Sequence, residues 1–142
     1  MGISKASARW EGGLKDGKGV MKPENAGEAT FSLGTRFEGQ KGSNPEELIG
    51  AALAGCFSMA LTVGLEKAGL KPQKVQTSAN VRLEKQGEGF AITGIELTTE
   101  ATVPGVDAAK FQSIAEETKK GCPVSKALAG TNITLKASLA GG

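Results

Sequence analysis

One stretch limits the possible folds of this chain more than any other. After Glu47 the sequence carries no charge until Glu66. Asn44 is a good N-cap residue, Pro45 suits the first helical position, and Glu47 stands where a capping-box carboxylate would. Gly69 is typical of a helix stop. The sequence therefore predicts a long helix that is apolar on every side, and such a helix lies either in the centre of a protein or in lipid.

The central position is the better prediction of the two. The uncharged run 48–65 is near the lower limit for a membrane span, which needs about 20 mostly apolar residues. It is rich in Gly, Ala, Ser and Thr, has no Trp or Tyr beside it, and is followed by a long amphipathic remainder. We expect a core helix wrapped by sheet, and no membrane partner.

Length and composition exclude several classes of protein. The 142 residues fit a single domain, 1–142. The net charge of +2 comes from interspersed charges without a basic block, so we expect no nucleic-acid partner. The amino terminus lacks the apolar segment of a signal peptide, which favours the cytoplasm, where disulfides are usually transient or catalytic. The absence of histidine excludes Cys-His pairs and His-ligated metal sites, and we expect no metal or bound cofactor.

The rest of the sequence predicts an α+β domain. Residues 35–42 read as a polar loop, and the parity of the apolar residues changes around Gly94, which indicates a bulge. The predicted strands are 4–10, 19–22, 29–33, 75–83, 90–103 and 131–139, and the further helices follow Asp107 and cover 122–128.

The two cysteines are the candidates for chemistry. Cys122 is predicted at a helix N-cap, where backbone N–H groups lower the pKa of a thiol. Cys56 lies mid-helix and needs a cation, for which Arg36 is the best candidate. A carboxylate, Glu46 or Glu47, would fix the guanidinium of that arginine. The alternatives are that the cysteines are small buried residues, that the glutamates only complement the helix N-terminus, and that the arginine is a solvated loop charge.

The motifs resemble those of the osmotically inducible protein C family, which belongs with the organic hydroperoxide resistance proteins. The resemblance rests on residues 35–39, 44–52, 56–61 and 121–125, with further support at 90–93 and 103–105. It runs nearly end to end, and the osmotically inducible branch is closer. Leu53 and Gly55 depart from the family pattern beside Cys56, which concerns the shape of the substrate pocket.

This resemblance implies antiparallel sheets wrapped around the long helix in an intertwined homodimer. It implies a thiol peroxidase that reduces organic hydroperoxides to alcohols in stress defence. Cys56 would be the peroxidatic cysteine and Cys122 the resolving one, with Arg36 and Glu46 as the polar pair. A lipoylated protein or a small dithiol would then reduce the resulting disulfide.

Helix geometry adds a constraint on the partner. Glu46 and Cys56 are ten residues apart, which corresponds to ~15 Å of rise and about 80° of azimuth. Either the helix is broken, or the Glu46 side of each site comes from a second subunit with its helix antiparallel. We favour the second alternative, a two-fold dimer.

Two other functions remain open at this point. A stress-related ligand-binding module could use the same interface pocket without catalysis, and a disulfide oxidoreductase is less favoured because the sequence has no Cys-x-x-Cys. If the protein is a peroxidase, the apolar residues Leu53, Phe57 and Met59 favour alkyl hydroperoxides over hydrogen peroxide.

Overall fold

The structure is a computed structural model that describes residues 2–140, and its chain divides into two compact units between Leu48 and Ile49. The first unit contains an antiparallel sheet of three strands in the order β1-β2-β3. Trp10 and Phe31 lie across Gly19 in this sheet, with ring centroids 5.5 Å apart. A Cβ at Gly19 would lie 2.5 Å from the Phe31 ring, so only glycine fits there. The strands are β1 Ala6–Glu11, β2 Lys18–Pro23 and β3 Ala29–Phe31.

The predicted polar loop is wrong over its first residues, because a short helix, α1 (Leu33–Phe37), covers them. The Thr35 backbone N–H donates to the Ser32 hydroxyl at 3.2 Å, and the Ser32 backbone N–H donates to the Thr35 hydroxyl at 2.9 Å. Threonine thus takes the place of the usual Glu or Gln in a capping box. Arg36 is therefore held on a helix and not on a loop.

The predicted long helix is present as α2, Pro45–Lys67, and is continuous over 23 residues. The Glu47 backbone N–H donates to Asn44 Oδ1 at 2.8 Å, as the predicted N-cap requires. The Glu47 carboxylate accepts a hydrogen bond from the Ser43 hydroxyl at 2.9 Å. The helix ends at Lys67, two residues before Gly69. The φ of Gly69 is 84°, the left-handed conformation that glycine adopts at low cost after a helix.

Within the second unit, α2 has one buried and one exposed apolar face. Every fourth residue of the buried face is fully excluded from solvent and belongs to the core: Leu53, Phe57, Leu61 and Leu65. The other face carries Gly55, Met59 and Val63, of which Met59 is 75% exposed. By length and composition alone α2 could cross a membrane, but only 28% of its apolar stretch is buried in this chain. Much of the apolar surface of α2 is therefore exposed in the single chain.

The sheet of the second unit has the order β4-β5-β6, with β4 Lys74–Gln86, β5 Gly89–Thr102 and β6 Asn132–Leu139. Strands β4 and β5 are antiparallel, and the register shifts opposite Thr93, which confirms the bulge predicted around Gly94. Strand β6 runs parallel to β5, which corrects the expectation of purely antiparallel sheets. The reason is the helical crossover that joins β5 to β6, since a long connection allows parallel pairing.

That crossover contains α3 (Ala108–Gly121), capped by Asp107 as predicted, and α4 (Pro123–Ala127). Ile95, Leu97 and Phe111 are buried in the core of the second unit. Phe90 is 55% exposed, because it lies next to the β4–β5 turn. The α+β class is confirmed, and the assignment of 1–142 to a single domain stays a prediction.

Candidate active site

Proline fixes the position of Cys122 between two helices. Because a residue before proline is disfavoured in the helical region, α3 ends at Gly121, and its C-cap Cys122 is extended at φ −61° and ψ 129°. Pro123 then opens α4 at its first position, so Cys122 is the N-cap of α4, as the sequence predicted. The Cys122 side chain is fully buried.

The structure brings Cys56 and Cys122 together. Their sulfurs lie 2.7 Å apart, and both residues are free thiols. Cys56 is half-buried on α2, so it is the more accessible of the two. A disulfide bond of about 2.05 Å needs only a small adjustment of either side chain. The pair can therefore exchange between dithiol and disulfide without a change of fold.

The two thiols differ in acidity within the single chain. Burial and the hydrogen bond with Cys122 raise the pKa of Cys56 above 9.0. Burial also raises the pKa of Cys122, but hydrogen bonds from the Cys56 thiol and from Ser125 and Val124 outweigh it and lower that pKa below 9.0. Either thiol can donate to the other in the neutral pair, and the directions of the two pKa shifts favour the anion on Cys122. Cys56 needs a cation from elsewhere, as expected for a mid-helix cysteine.

Arg36 and Glu46 form the predicted ion pair within the first unit. Arg36 Nε donates to Glu46 Oε1 at 3.0 Å, and Nη2 donates to the same oxygen at 2.5 Å. The Glu46 side chain is 8% exposed, and the Arg36 side chain is 37% exposed. The Arg36 guanidinium lies 5.2 Å from the centroid of the Phe37 ring. The buried carboxylate thus orients a guanidinium that still presents an accessible edge. Glu47 takes no part in this pair and instead accepts from Ser43.

The continuity of α2 bears on one of the two alternatives for Glu46 and Cys56, the broken helix. The helix is unbroken from Pro45 to Lys67. Glu46 and Cys56 are ten positions apart on it, which corresponds to ~15 Å of rise along the helix axis. A broken helix is therefore excluded as the way to bring these two side chains together.

The residues around Cys56 are not all where the sequence suggested. Leu53 and Phe57 are fully buried in the core of the second unit, so neither lines an accessible pocket. Gly55 and Met59 lie on the exposed face of α2. Of the two departures from the family pattern, Leu53 therefore lies in the core and Gly55 on the exposed face.

A cavity of about 490 Å³ lies between α2 and α3 in the second unit. Its walls are mostly apolar, with Lys67 and Glu117 among the lining residues, and Cys122 also contributes to the lining. Between residues 2 and 140, no group of three or more Cys, Asp or Glu side chains is placed to hold a metal ion.

Ser125 lies beside Cys122 but was not among the site residues predicted from the sequence. Ser125 is only 6% exposed. It occupies the third position of α4, three residues after the N-cap residue Cys122. Its hydroxyl makes no hydrogen bond of normal geometry with the described residues, yet it lies near enough to help lower the pKa of Cys122. The spacing of N-cap and third helical position is the signal that could have found it.

Comparison with known families decides the relationship. The profile of the OsmC-like protein family matches residues 38–138. The chain belongs to this OsmC-like family. The matched range contains Glu46, Cys56 and Cys122, and Arg36 lies two residues before it.

Individual relatives agree with this membership. The chain is 51% identical over 126 residues to peroxiredoxin OsmC of Escherichia coli K12, covering 87% of this chain and 88% of that protein. It is 34% identical over 103 residues to the organic hydroperoxide resistance protein of Xanthomonas axonopodis pv. citri, covering 72% and 70%. These matches confirm the resemblance on which the prediction rested.

Solved structures confirm the OsmC-like fold. The organic hydroperoxide resistance protein OhrB of Bacillus subtilis superposes with a TM-score of 0.73 at 28% identity, covering 96% of this chain and 97% of that one. An OsmC-like protein from Mycoplasma pneumoniae gives a TM-score of 0.76 at 15% identity, covering 97% of each chain, and supports the fold alone.

Proposed function

We propose that this chain is a thiol peroxidase that reduces organic hydroperoxides to alcohols in stress defence. The observation that carries the proposal is the contact of 2.7 Å between a half-buried and a fully buried thiol. Two relatives, a peroxiredoxin and an organic hydroperoxide resistance protein, support the same class of reaction.

Cys56 is the nucleophile in this proposal, because its sulfur is the more accessible one. Its thiolate attacks the terminal oxygen of the hydroperoxide, the O–O bond breaks, and the alkoxide takes a proton to leave as the alcohol. The product is a sulfenic acid on Cys56. Cys122 then attacks that sulfur, water leaves, and the disulfide forms. Because the two sulfurs are already in contact, this second step outpaces further oxidation of Cys56.

Arg36 supplies the cation that Cys56 lacks in its own chain, and Glu46 holds that guanidinium in a fixed orientation. A guanidinium beside Cys56 would lower the pKa of the thiol and stabilise the negative charge on the leaving oxygen. Since α2 is continuous, Glu46 cannot approach Cys56 of the same helix. We therefore propose that each site combines Cys56 and Cys122 of one subunit with Arg36 and Glu46 of the other.

The exposed face of α2 supports a homodimer. Met59 is 75% exposed and Val63 is 46% exposed on a helix that is otherwise a core element. Two copies of this face, packed antiparallel about a two-fold axis, would bury both. Such an arrangement also brings the start of one α2 towards the middle of the other, which is what the shared site requires.

The preference for alkyl hydroperoxides over hydrogen peroxide belongs to this proposal as well. Of the three residues that suggested it, only Met59 lies on an exposed face, since Leu53 and Phe57 are in the core. Met59 is therefore the one residue of the three that would contact an alkyl group at the subunit interface. The disulfide is returned to the dithiol by a lipoylated protein or a small dithiol, with no bound cofactor, and the cytoplasm is the proposed location.

Turnover of cumene hydroperoxide with dithiothreitol as reductant tests the proposal. Wild type should turn over, Cys56→Ser should be inactive, and Cys122→Ser should accumulate a sulfenic acid at Cys56 that dimedone traps. Hydrogen peroxide should be the poorer substrate. A non-catalytic ligand-binding module would give no turnover in any variant, and activity retained in Cys56→Ser would contradict the assignment of the nucleophile.

A further inference from the structure

The two sulfurs of the disulfide are not equivalent targets for a reducing thiol. Cys122 has no exposed surface, whereas Cys56 is only half-buried. In thiol–disulfide exchange the attacked sulfur must be reachable, and the other sulfur must leave as a thiolate. Accessibility therefore favours attack on Cys56, with Cys122 as the leaving group.

The surroundings of Cys122 suit a leaving thiolate. Cys122 is the N-cap of α4 and so lies at the first turn of that helix, where the neighbouring Val124 and Ser125 help to lower the pKa of its thiol. Ser125 is 6% exposed, and its buried hydroxyl has no hydrogen-bond partner of normal geometry among the described residues. A buried hydroxyl without a partner costs free energy, and a thiolate on Cys122 supplies the acceptor that it lacks.

We propose that the reducing thiol attacks the Cys56 sulfur of the disulfide, and that the Ser125 hydroxyl is a positioning group that holds Cys122 as the leaving thiolate. The proposal rests on the peroxidase cycle above and adds the direction of its reductive half. In the first step the reductant's thiolate bonds to Cys56, the Cys56–Cys122 bond breaks, and its electron pair stays on Cys122. In the second step the other thiol of the dithiol attacks its own sulfur in the mixed disulfide. This closes a cyclic disulfide and releases the Cys56 thiolate.

The cavity of about 490 Å³ between α2 and α3 provides the competing route. Cys122 is among the residues that line this cavity, so a reductant that reached the Cys122 sulfur from there would release Cys56 instead. The two routes leave the adduct on different cysteines. The position of the adduct therefore distinguishes them.

A monothiol makes the first step observable, because it cannot close a ring and stops at the mixed disulfide. The protein is oxidised with diamide, treated briefly with 2-mercaptoethanol, quenched in acid, and alkylated with N-ethylmaleimide. Trypsin separates the two cysteines, since Lys67 and Lys120 lie between them. Mass spectrometry should find mercaptoethanol on Cys56 and maleimide on Cys122. The reverse pattern, an even distribution, or failure of the disulfide to form would overturn the proposal.

Ser125→Ala tests the role of the hydroxyl, with Ser113→Ala on the exposed side of α3 as the matched control. In a Cys56→Ser background, the absorbance of the thiolate at 240 nm should show the pKa of Cys122 raised by about one unit in Ser125→Ala. In the chain that keeps both cysteines, Ser125→Ala should slow mixed-disulfide formation about threefold, because a thiol of higher pKa leaves more slowly. Ser125→Thr, which keeps the hydroxyl, should restore both values. An unchanged pKa and rate in Ser125→Ala would overturn the role of Ser125.

Diamide oxidation keeps this test separate from the peroxidase proposal. If the adduct lies on Cys56 but cumene hydroperoxide is not turned over, the peroxidase function fails and the direction of exchange stands. If turnover is normal but the adduct lies on Cys122, only the direction of exchange fails.

Discussion

A mixture of two inactive variants should recover activity if the site is shared between subunits. Arg36→Ala keeps both cysteines but lacks the guanidinium, and Cys56→Ser keeps Arg36 but lacks the nucleophile. Removal of a group that stabilises charge in the transition state costs about a hundredfold or more in rate, so each variant alone should be nearly inactive. In a mixed dimer, however, the intact Cys56 of one chain faces the intact Arg36 of the other.

The size of the recovery follows from the two-fold arrangement. After equal amounts are unfolded and refolded together, about half of the dimers are mixed, and one of the two sites in each is complete. The expected activity is therefore about one quarter of that of the same amount of wild type. The assay is turnover of cumene hydroperoxide with dithiothreitol after co-refolding, and the control mixes each variant with itself. If the mixture stays as inactive as its components, Arg36 does not act across the interface.

Three further predictions concern acidity, association and stability. Arg36→Ala should move the rate of Cys56 alkylation by iodoacetamide to higher pH, because loss of a cation raises the pKa of a thiol; an unmoved profile would remove Arg36 from the site. Met59→Glu should give a monomer in analytical ultracentrifugation while Met59→Leu stays dimeric, because the 75% exposed side chain lies on the proposed interface; a dimeric Met59→Glu protein would argue for another interface. Leu61→Ala should lower the free energy of unfolding by about 2–5 kcal/mol in urea, because the side chain is fully buried. Leu14→Ala, the same change at a side chain 68% exposed, should have little effect, and equal losses would contradict the assigned core.

The sequence predicted the parts of the site that depend on local chemistry. Pro123 determines where α3 ends, so the N-cap position of Cys122 could be read from neighbouring residues alone. The bulge near Gly94 was visible in the parity of the strand residues. The pairing of Arg36 with a glutamate was expected, and the structure selects Glu46 over Glu47.

The features that depend on tertiary context were missed or misread. An all-round apolar helix has no polar face to orient it, so the sequence could not tell that Leu53 and Phe57 face the core and Met59 does not. The direction of β6 depends on how the crossover packs, which no strand pattern records. Helix α1 was missed because its capping box uses Thr35 in place of a glutamate.

The most direct test is a count of free thiols before and after one equivalent of cumene hydroperoxide per chain. Because Cys56 and Cys122 are in contact, Ellman's reagent should show the loss of both thiols. Dithiothreitol should restore them, and the band should not shift to a cross-linked size on non-reducing gels. Retention of both thiols, or a disulfide that joins two chains, would contradict the proposed chemistry of this pair.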